Sequence, residues 1–149
     1  MPPGGEGKIT IEVKTDGSGG KKLKKTISVF TNDINNTIIP LTIAGNVEKF
    51  ATITPPKLRL SGVAGQALSR EIRIIPEKKY PFKILDITTK KNSDIKFTLN
   101  EVAVSKRTEY LLTVQNLKKN QGKYHHTIKI KTNSQIKPEI KIHVIGNIR

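Results

Sequence analysis

The chain has no cysteine and no tryptophan, a single methionine, and only four Phe and three Tyr among 149 residues. Without cysteine there is no disulfide framework, no thiolate ligand for a metal and no thiol nucleophile. With so few rings, a core of this size must be built from Ile, Val and Leu, a choice that favours strands. Acidic residues are also scarce, 12 against 27 Lys and Arg, for a net charge of +15. No run approaches the about eighteen apolar residues of a membrane helix, so no membrane span is expected. The opening "MPPGGEGKIT" has neither the basic start nor the apolar stretch of an export signal.

What is present is a repetition. "TNDINNTIIPLTIAGNV" at 31–47 and "TNSQIKPEIKIHVIGNI" at 132–148 align at a constant offset of 101 residues without a gap. Over residues 26–47, seven of 22 positions are identical, among them Thr26, Ile27, Thr31, Asn32 and the Gly45-Asn46 pair. Strands alternate inward and outward with a period of two, which gives the alignment a physical test. The inward set Ile9, Ile11, Val13, Leu23, Ile27, Val29, Ile39, Leu41 and Ile43 maps onto Tyr110, Leu112, Val114, Tyr124, Ile128, Ile130, Ile140, Ile142 and Val144. Every pair is apolar, as a duplicated β-domain requires.

Each copy reads as three antiparallel strands, with "TNDINN" and "TNSQIK" as polar turns before the last. Ahead of the second copy lie "FATIT", "KLRLSG" after Pro55-Pro56, "LSREIRIIP", "FKILDITT" and "DIKFTLNEV". A spacing of roughly ten residues, Gly/Pro/Asn punctuation and no helical period predict an all-β fold. Residues 48–149 are expected to form one complete two-sheet β-sandwich of about seven strands. Residues 1–47 read as the last three strands of a preceding, truncated sandwich. Nine inward aliphatics are too few to offset the ordering of such a fragment alone. Its apolar face therefore calls for a cover: the second domain, another chain through self-association, or upstream sequence as its natural partner.

The run "PPGGEGKITIEVKTDGSGGKKLKKTISVFTNDINNTIIPLTIAGNV" at 2–47 closely resembles the C-terminal half of a bacterial immunoglobulin-like family related to Hydin/ASPM-type domains. In that pattern a Pro-Pro-Gly-Glu-like turn precedes a strand, a Gly-rich loop follows, and a Thr-Asn-Asp corner leads into the final strand. Residues 48–149 resemble a more divergent copy. The resemblance implies export to the periplasm or cell exterior. The family's usual signal peptide and Cys-Gly-Cys element have no counterpart in this sequence, nor do the paired cysteines and core Trp of true immunoglobulin domains.

Residues that could carry chemistry are few. "DGSGGKK" at 16–22 fails as a phosphate cradle, because Lys22 stands where a Walker loop needs Ser or Thr and where the dinucleotide pattern needs Gly. His125 and His143 fall on the outward parity of adjacent strands. If the turn pairs Lys131 with about Glu139, these imidazoles are neighbours within reach of one divalent ion, the only weak candidates for a metal site. His126 completes the histidines.

Lys129, Lys131, Lys141 and His143 share that outward face as a candidate polyanion-binding surface, with Arg59, Arg70, Arg73, Lys83, Lys90, Lys91 and Lys96 adding charge elsewhere. The positive charge is concentrated there: residues 48–149 carry a net +13 and residues 1–47 only +2. Tyr110 and Tyr124 are predicted inward, leaving no ring to stack on bases. Asn35-Asn36-Thr37 is a formal glycosylation sequon, meaningful only in a eukaryotic secretory setting. No nucleophile elbow and no framed carboxylate pair occur, so neither catalysis nor a cofactor is expected. The expectation is a non-enzymatic structural or protein-binding module, with polyanion binding as the alternative.

Overall fold

The computed structural model of the chain describes residues 5–90, 94–104 and 107–149. Pro2 and Pro3 of the turn motif and Lys91 of the basic set lie outside them. All regular elements among the described residues are strands, and the chain divides into two compact units, Met1–Lys49 and Phe50–Arg149.

Among its described residues the first unit contains a single hairpin, β1 (Lys22–Phe30) with β2 (Ile38–Asn46), in antiparallel register. Its turn is made by the sequence itself. Thr31 Oγ1 donates to the Asn36 carbonyl at 2.5 Å and accepts from the Asp33 amide at 3.2 Å, while Asp33 Oδ1 accepts from the Asn35 amide at 2.9 Å. The strand expected over Ile9–Val13 is not formed: the described residues 5–15 hold no strand.

The second unit explains why. Its eight strands form two four-stranded sheets: β3 (Ala51–Thr54), β5 (Ser69–Pro76), β8 (Arg107–Asn116) and β7 (Ile95–Val104) in one, and β4 (Leu58–Gly62), β10 (Glu139–Ile148), β9 (Gly122–Thr132) and β6 (Ile84–Thr88) in the other. The copy of Ile9–Val13 at the offset of 101 is the centre of β8, which pairs with β5 and β7 and not with β9. The three closing strands are thus divided between the two sheets, β8 in one and β9 with β10 in the other. Among the described residues of the first unit nothing corresponds to β5 or β7, so its opening segment has no ladder to join.

The hairpins themselves repeat closely. Ile27 lies opposite Leu41 and Val29 opposite Ile39 in the first; Ile128 lies opposite Ile142 and Ile130 opposite Ile140 in the second. The turn is copied too: Thr132 Oγ1 donates to the Lys137 carbonyl at 2.6 Å and accepts from the Ser134 amide at 3.2 Å. The unit has eight strands rather than about seven because Pro55-Pro56, lacking amide donors, ends β3 and lets β4 cross to lie parallel to β10 in the opposite sheet.

Between the sheets Ile72, Ile74, Leu112 and Val114 meet Leu58, Leu60, Ile128, Ile130, Ile142 and Val144, all at most 1 % exposed. Phe82 closes one end, stacked on Phe50 at 4.8 Å, with the Tyr110 hydroxyl donating to its carbonyl at 3.2 Å. Tyr124 closes the other end, its hydroxyl donating to Asn116 Oδ1 at 2.8 Å. Burial, with a smaller effect from the Asp94 carboxylate, pushes the Tyr124 phenol up to about 12. The unfolded chain loses this proton near pH 10 and the folded chain keeps it. The tyrosine's contribution to stability is therefore complete below about pH 10 and is lost as pH rises toward 12. Denaturation curves recorded across that window are expected to show a smaller alkaline loss for Tyr124→Phe than for the parent.

In the first unit the matching face stays open. Ile39 and Leu41 are 42 % and 37 % exposed, where Ile140 and Ile142 are 3 % and 1 %.

Candidate functional site

The outward face of β9 and β10 is where the sequence places its candidate ligands, and the register orders them in rows. Glu139 does lie opposite Lys131, as the turn predicts; Lys141 then lies opposite Lys129, and His143 opposite Thr127. His125 lies opposite Ile145, one step along, so the two imidazoles are diagonal neighbours. Their ring centroids are 5.6 Å apart with planes inclined by 21°, and His143 Nδ1 sits 3.3 Å from Thr127 Oγ1. Among the described residues no third His, Cys, Asp or Glu joins them to make a cluster able to hold a metal ion.

The lysine row is not a bare positive strip. Glu139 lies between its cations, 3.5 Å from Lys141 Nζ and 4.0 Å from Lys129 Nζ. Asp86 on β6 lies opposite Lys131 in the register. Exposed pairs of this kind contribute about 0–1 kcal/mol to stability, but they locally cancel the field that an anion would feel. Sequence reasoning missed this interleaving, although the Lys131–Glu139 pairing it used to set the register already contained it. The association of Asp86 with Lys131 depends on which strand flanks β9, and periodicity does not report that.

His126 has the inward parity but a polar role. Its side chain is 12 % exposed, with Nε2 3.1 Å from Asp94 Oδ2 and its ring 5.3 Å from that of Tyr124. Lys118 Nζ lies 3.9 Å from the other Asp94 oxygen. The group lies beside Tyr124 at the edge of the core, where Asp94 gives the imidazole its hydrogen-bond partner.

Where the chain leaves β6, the outward face forms a shallow concavity lined by Thr88, Thr89, Lys90, His125, Thr127 and Lys129, with His126 at its floor. Thr88 lies opposite Lys129, and Thr89 Oγ1 donates to the Thr127 carbonyl at 3.3 Å, which holds this segment against β9.

The remaining motifs have structural roles. Gly17 and Gly20 adopt φ of 74° and 79°, a left-handed backbone that glycine alone takes at little cost, so the loop serves as a connection into β1. Its end is tied down by the Gly20 amide donating to the Val47 carbonyl at 2.7 Å and by the Val47 amide donating to the Lys21 carbonyl at 2.9 Å. Arg73 lies 3.9 Å from the buried Glu109 on the other sheet, away from the histidines. No family model matches the chain, and no curated protein matches it.

Proposed function

We propose that the chain is a non-enzymatic structural and protein-binding module of the immunoglobulin-like class, part of an exported bacterial protein. One observation carries the reading: a hairpin with the register of β9–β10 presents Ile39, Leu41 and the half-buried Ile27, Val29 and Ile43, and among the described residues of its unit no facing sheet buries them as their counterparts are buried. Support for the class comes from strand order. The series β3-β5-β8-β7 against β10-β9-β6 runs as A-B-E-D against G-F-C, the order of constant-type immunoglobulin domains, with β4 as an additional edge strand. An exposed aliphatic sheet face is a protein-docking surface by its chemistry. The resemblance of residues 2–47 to an exported family makes the cell envelope the place to look.

Photo-crosslinking residues placed at Ile39 or Leu41 are expected to trap a protein from the envelope fraction, while the same probe at Thr26 or Thr42, on the opposite face, traps none. Equal trapping from both faces, or none from the aliphatic face, would set the reading aside.

Polyanion binding stands as a second reading, favoured by one specific observation: among the described residues the concavity beside β6 is lined by cations, hydroxyls and imidazoles and by no carboxylate.

A further inference from the structure

The second reading gains a location and a ligand class from the way charge is distributed over the sheet. Along the outward face of β9 and β10 the two halves differ. Toward the turn, Lys131 and Lys141 are interleaved with Glu139 and Asp86. Toward the other end, Lys90, Thr88, Thr127 and His125 lie with Lys129 around the concavity, and the carboxylates of the described residues fall outside its lining. The carboxylate nearest its floor, Asp94, is engaged by His126 Nε2 at 3.1 Å and faces Lys118 at 3.9 Å. Lys129 is shared with Glu139 only at 4.0 Å, and Lys141 is that acid's closer partner.

We infer that this concavity is a binding site for the sulfate groups of an acidic polysaccharide, with Lys90 and Lys129 as its cationic rims and Thr88, Thr127 and His125 as hydrogen-bonding groups between them.

The chemistry fits a tetrahedral oxyanion. Ammonium groups supply charge, hydroxyls and an imidazole supply directional bonds, and no carboxylate of the described residues lines the site. The hold of Thr89 on the Thr127 carbonyl fixes the β6 end against β9, so part of the geometry exists before the ligand arrives. A nucleic acid could offer phosphates to the same groups, but affinity for single strands also draws on rings that stack with bases. Tyr110 and Tyr124 are buried in the core at 1 % and 9 % exposure, and among the described residues no Phe, Tyr or Trp lines the concavity. A sulfated polysaccharide needs only the oxyanion groups.

The inference rests on the polyanion reading and is tested separately from it. Amide shifts of the full chain are followed by NMR during titration with a short heparin oligosaccharide at roughly 0.15 M ionic strength. A single-stranded DNA oligonucleotide of equal charge is titrated in parallel. Heparin is expected to move the amides of Thr88, Thr89, Lys90 and His125 to Lys129. The Lys90→Ala/Lys129→Ala double variant is expected to bind about tenfold more weakly, a loss of about 1.4 kcal/mol. Lys131→Ala/Lys141→Ala is expected to lose less than about twofold, since these lysines are locally balanced. The four positions are exposed, and unchanged dispersion of the other amides verifies that each variant is folded.

Heparin binding with shifts centred on Lys131 and Lys141, or insensitive to the first double variant, overturns the site and leaves the polyanion reading standing. Absence of any heparin or DNA binding overturns both. DNA binding at the concavity as tightly as heparin overturns the choice of polysaccharide.

Discussion

Ile128→Ala and Ile142→Ala are each expected to destabilise the Phe50–Arg149 unit by about 2–5 kcal/mol, while Ile27→Ala and Leu41→Ala, at the equivalent places of the first copy, change stability by less than about 1 kcal/mol. The four side chains occupy matching positions in two hairpins of the same register. Only their surroundings differ: Ile128 and Ile142 are 0 % and 1 % exposed between two sheets, whereas Leu41 is 37 % exposed and Ile27 is half-buried. Truncation inside the sandwich leaves a cavity that neighbours fill only in part, so the cost exceeds simple transfer. Truncation on the open face costs only the fraction of transfer already realised. For a domain of this size the larger loss corresponds to a fall in Tm on the order of 10–30 °C, measurable by calorimetry. Equal effects in the two copies would mean that the first hairpin is as well covered as the second.

The second large effect concerns a glycine. A Cβ at Gly146 would stand 2.0 Å from Tyr124 Cε1 and 2.1 Å from Cζ, a contact no side chain tolerates, because the ring lies across the strand opposite Gly146. The ring cannot simply turn aside, since its hydroxyl is bonded to Asn116 and its face meets His126. Gly146→Ala is expected to cost about 1–3 kcal/mol or more through forced displacement of Tyr124. In the first copy Leu23 takes the place of the tyrosine and a Cβ at Gly45 meets nothing within 4 Å. Gly45→Ala is therefore expected to be neutral or slightly stabilising, as removal of a glycine from a strand normally is. Denaturant titration of Gly146→Ala, alone and combined with Tyr124→Leu, checks the mechanism. The second substitution imports the first copy's solution and should recover part of the loss, appearing as a favourable coupling.

Much of this architecture was legible before any coordinates. The constant offset and its apolar pairs, six of the nine of which lie in the hairpin, identified the duplication, and the polar turns anchored its register, because a strand that buries one face cannot slip by one residue without inverting. Periodicity assigns faces, not sheets. Nothing in the alternation of Tyr110, Leu112 and Val114 says that β8 pairs with β5 and β7 and not with β9. The strand expected at Ile9–Val13 failed for that reason: its aliphatics have strand spacing, but a strand exists only where a neighbour accepts its hydrogen bonds.

The site was legible in the same partial way. His125, His143, Lys129, Lys131 and Lys141 do share one face. Their neighbours reach it from elsewhere: Glu139 from the start of β10, and Asp86 and Lys90 from β6 and the segment after it, whose placement beside β9 is a tertiary fact. The pairing of His126 with Asp94 spans 32 residues, beyond any local pattern.

The claim on which the account depends is that the two hairpins share a register at an offset of 101 residues. The native absence of cysteine makes it directly testable. In the first hairpin Thr26 Oγ1 and Thr42 Oγ1 are 3.3 Å apart across the strands, and in the second Thr127 Oγ1 and His143 Nδ1 are also 3.3 Å apart. Cysteine pairs placed at Thr26 with Thr42, and at Thr127 with His143, are predicted both to close into intramolecular disulfides under mild oxidation. Pairs moved by one residue, Thr26 with Ile43 and Thr127 with Val144, should stay reduced because their side chains point to opposite faces. Closure of a shifted pair in either hairpin, with its native pair left open, would contradict the account.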